Sequence, residues 1–222
     1  MTAALVRRLA VPVLIALFLS HCTHAPLPAT GERPVKIVVL GDSLSAGFGL
    51  LPGYAFPERL EQVLRAKGTP VTIVNAGVSG DTASDGLARL DRSVPGDTDA
   101  VIIELGANDA EQGINPSVTE AALGSMLQQL QDRHIQVLLT GFHAPPGKGP
   151  AYVRAFAAIY PSLAASHSYV WYPDILDGVE GNAALIQLDG EHPNARGVDV
   201  IVQRILPQVE ELIARVRAAR PS

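Results

Sequence analysis

Residues 35–49 read VKIVVLGDSLSAGFG, an apolar run that passes directly into a loop of small residues. The run is continuous rather than alternating in polarity, which is typical of a strand covered on both faces of a parallel sheet. The loop puts Ser43 just after this strand, among small neighbours that let a substrate approach, which is the placement a nucleophilic serine needs. A glycine-rich turn that cradles a phosphate has a similar composition, so this loop alone does not separate the two interpretations.

Four further apolar runs follow, separated by longer segments in which apolar residues recur three or four positions apart. The runs predict strands at 71–75, 100–105, 135–140 and 169–172. The segments predict helices at 57–67, 84–90, 118–133 and 152–165, and a last helix after Asn194. Ser117 and Glu120 form the expected capping box of the third helix. Five βα units with right-handed crossovers predict an α/β fold, a three-layer α/β/α sandwich whose five-stranded parallel sheet has the flavodoxin-like order 2-1-3-4-5.

The composition excludes several classes of protein. The chain has 222 residues, of which 47% are hydrophobic and 18% are charged, and its formal charge is −5. This hydrophobic content is too high for a disordered chain, and the net negative charge is the wrong sign for a protein that binds nucleic acid through its charge. The single cysteine, Cys22, allows neither a disulfide within the chain nor a thiolate zinc site.

The beginning of the chain resembles an export signal. Arg7 and Arg8 precede an apolar run at 9–19, far shorter than the roughly 20 residues needed to span a bilayer. Cys22 follows this run as in a lipoprotein processing site, with plain secretion as the alternative. The expected organisation is a signal peptide at 1–21, a linker at 22–34 and a folded domain at 35–222. We therefore expect the protein in a bacterial cell envelope, periplasmic or secreted, with Cys22 as the point of any lipid anchor or membrane tether.

Three more motifs accompany the later strands and the last helix. They are NAGVSGDT at 75–82, GAND at 106–109 and DGEHPN at 189–194. The backbone amide of Gly80 and the side-chain amide of Asn108 suit a developing oxyanion, and Asp189 can reach the ring of His192 within one tight turn. Each motif alone is also explained by an ordinary turn, because Asn, Gly and Asp are common turn formers. Together they fall on the edge where an open α/β sheet builds its sites.

These residues resemble the GDSL or SGNH hydrolase superfamily over essentially all of 35–222. The blocks GDSLS, SGDT, ELGAND and DGEHPN are most similar to the bacterial branch of thioesterase I/lysophospholipase L1 proteins and arylesterases. The resemblance implies a catalytic triad of Ser43, Asp189 and His192. It also implies an oxyanion hole formed by Ser43, Gly80 and Asn108. It implies a serine esterase that hydrolyses carboxylic esters and thioesters, among them aryl esters, acyl thioesters and lysophospholipids, through an acyl-enzyme and without a cofactor. Family members usually have an aliphatic residue where this chain has Glu191.

Two other functions stay open from the sequence. One is a carbohydrate O-acetyl esterase of the same superfamily, and the other is a non-catalytic flavodoxin-like protein that binds phosphate or FMN. No metal site is expected, because the histidines show no ligand spacing with carboxylates. The expected partner is a small-molecule acyl ester or thioester rather than a nucleic acid, and the expected state is a monomer.

The loops at 110–116 and 142–150 follow strands and are the predicted walls of the substrate site. Within them, Ile114 and Phe142 are the expected contacts of an acyl chain. Asp42 is expected to brace the serine turn. Glu104 lies inside an apolar strand, where a carboxylate needs a hydrogen-bond partner, so it is expected to be structural.

Overall fold

The strands of the computed structural model, which describes residues 33–167 and 169–220, run parallel in a single sheet. They are β1 (Val35–Gly41), β2 (Val71–Gly77), β3 (Ala100–Glu104), β4 (Gln136–Thr140) and β5 (Val170–Tyr172). Their order is β2-β1-β3-β4-β5, which confirms the predicted α/β architecture and strand order. The predicted signal peptide at 1–21, and the predicted linker as far as residue 32, lie outside the described residues.

Helices connect the strands and cover both faces of the sheet. They are α1 (Ser43–Ala46), α2 (Phe56–Ala66), α3 (Ala83–Ala88), α4 (Leu90–Ser93), α5 (Ala107–Gln112), α6 (Pro116–Asp132), α7 (Pro150–His167) and α8 (Ala195–Ala219). A short 3₁₀ turn, Pro146–Lys148, precedes α7. Among the described helices, none is long and apolar enough to cross a membrane.

Alternate residues of β1 enter the two halves of the core. Ile37 and Val39 pack with α2 and α8 on one face of the sheet, whereas Val38 and Leu40 pack with α3, α6 and α7 on the other. All four side chains are fully buried. Burial on both faces is the reason that the strands show continuous apolar runs in the sequence.

Two local predictions were wrong. The cap of α6 is Asn115, not Ser117, because the Asn115 side chain accepts from the Ser117 N–H at 3.1 Å and Pro116 occupies the first helical position without needing a partner. The predicted loop at 110–116 also begins as helix, since α5 starts at Ala107, shortly after β3, and runs to Gln112, where Gly113 ends it with a φ of +70°.

Candidate active site

Ser43 is the first residue of α1, at the carboxyl end of β1. Asp42 caps this short helix, because its buried carboxylate accepts from the Leu44 N–H at 3.0 Å. The helix ends at Gly47, whose φ of +80° favours glycine. The turn places the Ser43 side chain at the wall of a cavity. Asp42 therefore braces the serine turn, as predicted.

Asp189 and His192 lie together in the turn before α8. One carboxylate oxygen of Asp189 accepts from the backbone N–H groups of Glu191 at 3.0 Å and His192 at 3.1 Å. The other lies 2.9 Å from Nδ1 of His192. The two backbone hydrogen bonds, followed by the contact with the imidazole, lower the pKa of Asp189 to about 2. The carboxylate is thus ionised and holds the ring in one orientation.

The imidazole of His192 joins this turn to the start of the chain. Its Nε2 lies 2.9 Å from Oγ of Ser43, although 149 residues separate the two in sequence. With Nδ1 donating to Asp189, Nε2 is the acceptor for the Ser43 hydroxyl. The structure therefore brings all three predicted triad residues into one hydrogen-bonded chain.

Asn194 fixes the angle at which this turn enters α8. Its side-chain oxygen accepts from the N–H groups of the second and third residues of the helix, Arg196 and Gly197, at 3.0 and 3.1 Å. Its Nδ2 donates backwards to the carbonyls of Ala184 and Ile186 at 3.0 and 3.2 Å. This confirms Asn194 as the predicted cap and anchors the turn at one end.

Three potential donors surround the same cavity. The backbone N–H groups of Ser43 and Gly80 have no acceptor anywhere in the described chain, and both residues line the cavity. Gly80 has a φ of +89°. The side-chain amide of Asn108 also lines the cavity, but its Nδ2 is occupied by Asp42 Oδ2 at 3.2 Å and by the Asp81 carbonyl at 3.0 Å. The two backbone amides are therefore free to donate to a negative oxygen, and Asn108 must give up one bond to donate to it as well.

A buried carboxyl pair lies beneath the serine turn. Glu104 of β3 accepts from the Ser45 hydroxyl at 2.7 Å and from the Asp42 N–H at 3.4 Å. Burial, and then the neighbouring Asp42, raise the pKa of Glu104 well above its usual value. Burial likewise raises the pKa of Asp42 to about 7. A Cβ at Gly41 would lie 2.2 Å from the Ser45 Oγ, so this packing requires glycine there. Glu104 is the hydrogen-bonded structural carboxylate that the sequence predicted.

Arg89 ties the ends of two strands to the loop that carries Gly80. This buried guanidinium donates to the Asp81 carboxylate at 2.6 Å. It also donates to the carbonyls of Gly41 and Ala76, at 2.9 and 2.8 Å. Sequence reasoning missed Arg89, because an arginine within a helical pattern carries no sign that its charge is buried.

Asp109 locks the loop after β3 in a similar way. Its carboxylate is fully buried and accepts from the Ala83 N–H and from the Thr119 hydroxyl, both at 2.8 Å. The two donors belong to α3 and α6. The carboxylate thereby fixes the neighbouring Asn108 relative to the loop after β2.

The cavity has a volume of about 450 Å³ and is both apolar and acidic. Its apolar lining includes Leu44, Phe48, Phe142, Leu176 and Ile186. Its carboxylates are those of Glu111, Glu180 and Glu191, and burial followed by the charge of Glu191 raises the pKa of Glu111. The structure thus places Phe142 in the cavity wall. Ile114 does not line the cavity, because Gly113 turns the chain away after α5. The carbonyl of Ile114 instead accepts from the Tyr152 hydroxyl at 2.8 Å.

A group of possible metal ligands lies at the edge of the cavity, where sequence spacing indicated none. The ligand atoms of His143, Asp174 and Glu180 lie within 4.8 Å of one another. Nδ1 of His143 is 3.4 Å from Asp174 Oδ2. His143 comes from the loop after β4, whereas Asp174 and Glu180 both lie between β5 and α8, so folding brings His143 to the other two.

The comparison with known families agrees with this arrangement. Residues 39–200 match the GDSL-like Lipase/Acylhydrolase family. The chain belongs to this family. As a GDSL hydrolase it is a carboxylic ester hydrolase, and the family together with the Ser43–His192 contact favours an enzyme over the phosphate- or FMN-binding protein considered from the sequence.

Individual relatives cover most of this GDSL hydrolase. Esterase TesA of Pseudomonas aeruginosa is 35% identical over 199 residues, which span 89% of this chain and 99% of that protein. Thioesterase 1/protease 1/lysophospholipase L1 of Escherichia coli is 34% identical over 178 residues, or 80% of this chain and 84% of that protein. The crystal structure of AlinE4, a SGNH-hydrolase family esterase, matches with a TM-score of 0.69 and 40% identity, covering 82% of this chain and 98% of that one.

Proposed function

We propose that the chain is a serine esterase in which Ser43 is the nucleophile, His192 the general base and Asp189 the residue that orients the base. The observation that carries this proposal is the chain of two 2.9 Å contacts from Asp189 through the imidazole of His192 to Oγ of Ser43. A weakly acidic hydroxyl becomes a nucleophile when an adjacent base is oriented by a third group, and these contacts meet that requirement.

The reaction proceeds in two halves. Nε2 of His192 takes the Ser43 proton as Oγ attacks the acyl carbonyl carbon, and the leaving alcohol or thiol departs with that proton. The acyl group stays on Ser43. A water molecule then gives its proton to His192 and attacks the acyl-enzyme, which releases the carboxylic acid and returns the proton to Oγ. Throughout both halves Asp189 stabilises the imidazolium without taking its proton.

The backbone amides of Ser43 and Gly80 and the side chain of Asn108 form the oxyanion hole. Two of these donors have no acceptor in the described chain, so they are already available to the oxygen that becomes negative. Preorganised donors of this kind need no rearrangement during the reaction. Asn108 exchanges its 3.2 Å bond to Asp42 for the stronger one to the oxyanion.

The substrates are small esters and thioesters with a single acyl chain, including aryl esters and lysophospholipids. Support comes from the size and apolar lining of the cavity, with Phe142 in its wall, and from the names of the relatives, which include an esterase and a thioesterase/lysophospholipase. A p-nitrophenyl ester series of graded acyl length separates this proposal from an O-acetyl esterase. Activity that falls steeply beyond acetyl would favour the latter.

The protein acts in the bacterial cell envelope, periplasmic or secreted. The proposal rests on residues 1–34, where a short apolar run behind Arg7 and Arg8 precedes Cys22 and a proline-containing linker. Lipid attachment at Cys22 would tether the domain to a membrane. Intact-mass analysis of the exported protein, with Cys22→Ser as the control, distinguishes a lipid-modified amino terminus from a cleaved and unmodified one.

Labelling with a fluorophosphonate tests the nucleophile directly. We expect one adduct per chain, on Ser43, and loss of both labelling and p-nitrophenyl butyrate hydrolysis in Ser43→Ala. Ser79→Ala is a matched control, since Ser79 is an exposed hydroxyl lining the same cavity, and it should keep both. An unlabelled wild type, or a Ser43→Ala variant that still turns over substrate, would remove the assignment.

A further inference from the structure

Two segments that are distant in sequence carry the proposed reacting groups. We name them the nucleophile arm, residues 42–50, and the histidine turn, residues 185–194. In the part of the chain that the structure describes, two hydrogen bonds join them. One is the Ser43–His192 contact itself, and the other runs from the side chain of Gln187 to the carbonyl of Phe48 at 2.7 Å.

The side-chain amide of Gln187 donates both of its hydrogens, and we call these two hydrogen bonds the clasp. Nε2 donates to the Phe48 carbonyl on the nucleophile arm and to the Pro193 carbonyl, 3.0 Å away, on the histidine turn. The oxygen of the same amide lies over Gly49, where a Cβ would approach it to 2.1 Å. Gly49 therefore leaves the space that lets the amide reach across.

The main chain of Gln187 is part of the histidine turn. Its N–H donates to the carbonyl of His192 at 2.7 Å, and its carbonyl accepts from the Gly190 N–H at 3.1 Å. The side chain therefore reaches the nucleophile arm from a backbone position fixed relative to His192. Movement of the arm away from the turn must break the Gln187–Phe48 bond.

The clasp also acts on the imidazole through Phe48. The rings of Phe48 and His192 are 4.6 Å apart, centroid to centroid, with a tilt of 36°. By holding the Phe48 carbonyl, Gln187 fixes the backbone from which that ring packs against His192. A displacement of about 1 Å between reacting groups can cost on the order of 100-fold in rate, so such a constraint has a direct kinetic effect.

We propose that Gln187 is a positioning residue, which holds Nε2 of His192 against Oγ of Ser43 by clasping the nucleophile arm to the histidine turn. The proposal rests on the proposed function of Ser43 and His192. It assigns Gln187 no contact with substrate and no proton transfer.

Gln187→Met tests the proposal, because methionine keeps the length of the side chain and removes both donors. We expect kcat for p-nitrophenyl butyrate to fall about 10- to 100-fold with KM changed less than about twofold, since only the reacting geometry is disturbed. The rate of fluorophosphonate labelling should fall by the same factor as kcat. Gln187→Lys, which supplies ammonium donors to the two carbonyls, should recover most of the loss.

Gln62→Met is the matched control. The Gln62 amide donates to the carbonyl of Gly53, near the same arm but away from His192, so its removal should leave kcat and labelling rate unchanged. A Gln187→Met variant with a lower melting temperature but wild-type kcat and labelling rate would reduce Gln187 to a structural residue and overturn the proposal. If Gln187→Met does not fold, Gln187→Lys against Gln187→Glu gives the same comparison, since the carboxylate cannot donate to either carbonyl, and equal kcat in the two overturns it. Failure of the wild type to label would instead contradict the proposed function.

Discussion

Ser43 and His192 meet at 2.9 Å, but the segments that hold them are built differently. Around Ser43, charged and polar groups are buried and hydrogen-bonded, with Asp42, Glu104 and Asp109 all at 2% exposure or less. Around His192, by contrast, residues 188–191 are exposed, and Leu188 is fully so. The serine side is therefore part of the core, and the histidine side is a surface turn held by hydrogen bonds at its ends.

This difference separates activity from stability. Removing a buried group that satisfies several partners leaves those partners desolvated and unpaired, which is costly. Removing an exposed or half-exposed group lets water replace it. Substitutions on the histidine side should therefore reduce activity at nearly constant stability, whereas substitutions in the buried network should reduce stability first.

His192→Ala should show the largest effect on activity. The loss of the proposed general base should lower kcat by about 10⁴-fold or more, because a serine nucleophile without its base is weak. The melting temperature should change little, since the turn keeps its Asp189 and Asn194 backbone hydrogen bonds. Steady-state kinetics and thermal unfolding of the same preparation check both parts. A variant that unfolds at a much lower temperature would contradict the separation of the two sides.

Arg89→Met should show the opposite pattern. It leaves the Asp81 carboxylate and two strand-end carbonyls without their donor, so the free energy of unfolding should fall by about 3–5 kcal/mol. Arg59→Met is the control, because the Arg59–Asp199 pair, at 2.7 Å, is more exposed and its loss should cost less than about 1 kcal/mol. Urea unfolding of the three proteins measures the difference. Equal stabilities for Arg89→Met and Arg59→Met would show that the buried network is not what holds the serine side.

The same two sides explain how far the sequence could be interpreted. The sheet order and the loops bearing Ser43, Gly80 and Asn108 were predictable, because continuous apolar runs mark buried strands and the carboxyl ends of such strands meet at one edge. The Asp189–His192 pair was predictable because both residues lie in one turn. Arg89 and Gln187 were not, since most of their partners are backbone carbonyls, which leave no trace in residue type. Ile114 was placed in the substrate wall because its segment looked like a loop, whereas α5 extends into that segment.

A smaller effect should appear in the pH dependence of stability. Burial raises the pKa of Asp42 to about 7 in the folded protein, against roughly 3.9 when unfolded. Between these values the folded state binds more protons, so the stability due to Asp42 is fully present below about pH 4 and is lost as the pH rises through about 7.

Asp42→Asn cannot ionise and lacks this dependence. Its unfolding free energy relative to the wild type should therefore rise between pH 5 and pH 8, as measured by urea unfolding at each pH. Groups that titrate alike in both proteins cancel in the difference. Glu104→Gln gives a second check of the same sign, since burial and the neighbouring Asp42 raise the pKa of Glu104 as well. A difference that stays flat with pH in both variants would mean that the two carboxyl groups keep ordinary pKa values despite their burial, and the serine side would then be no less hydrated than the histidine turn.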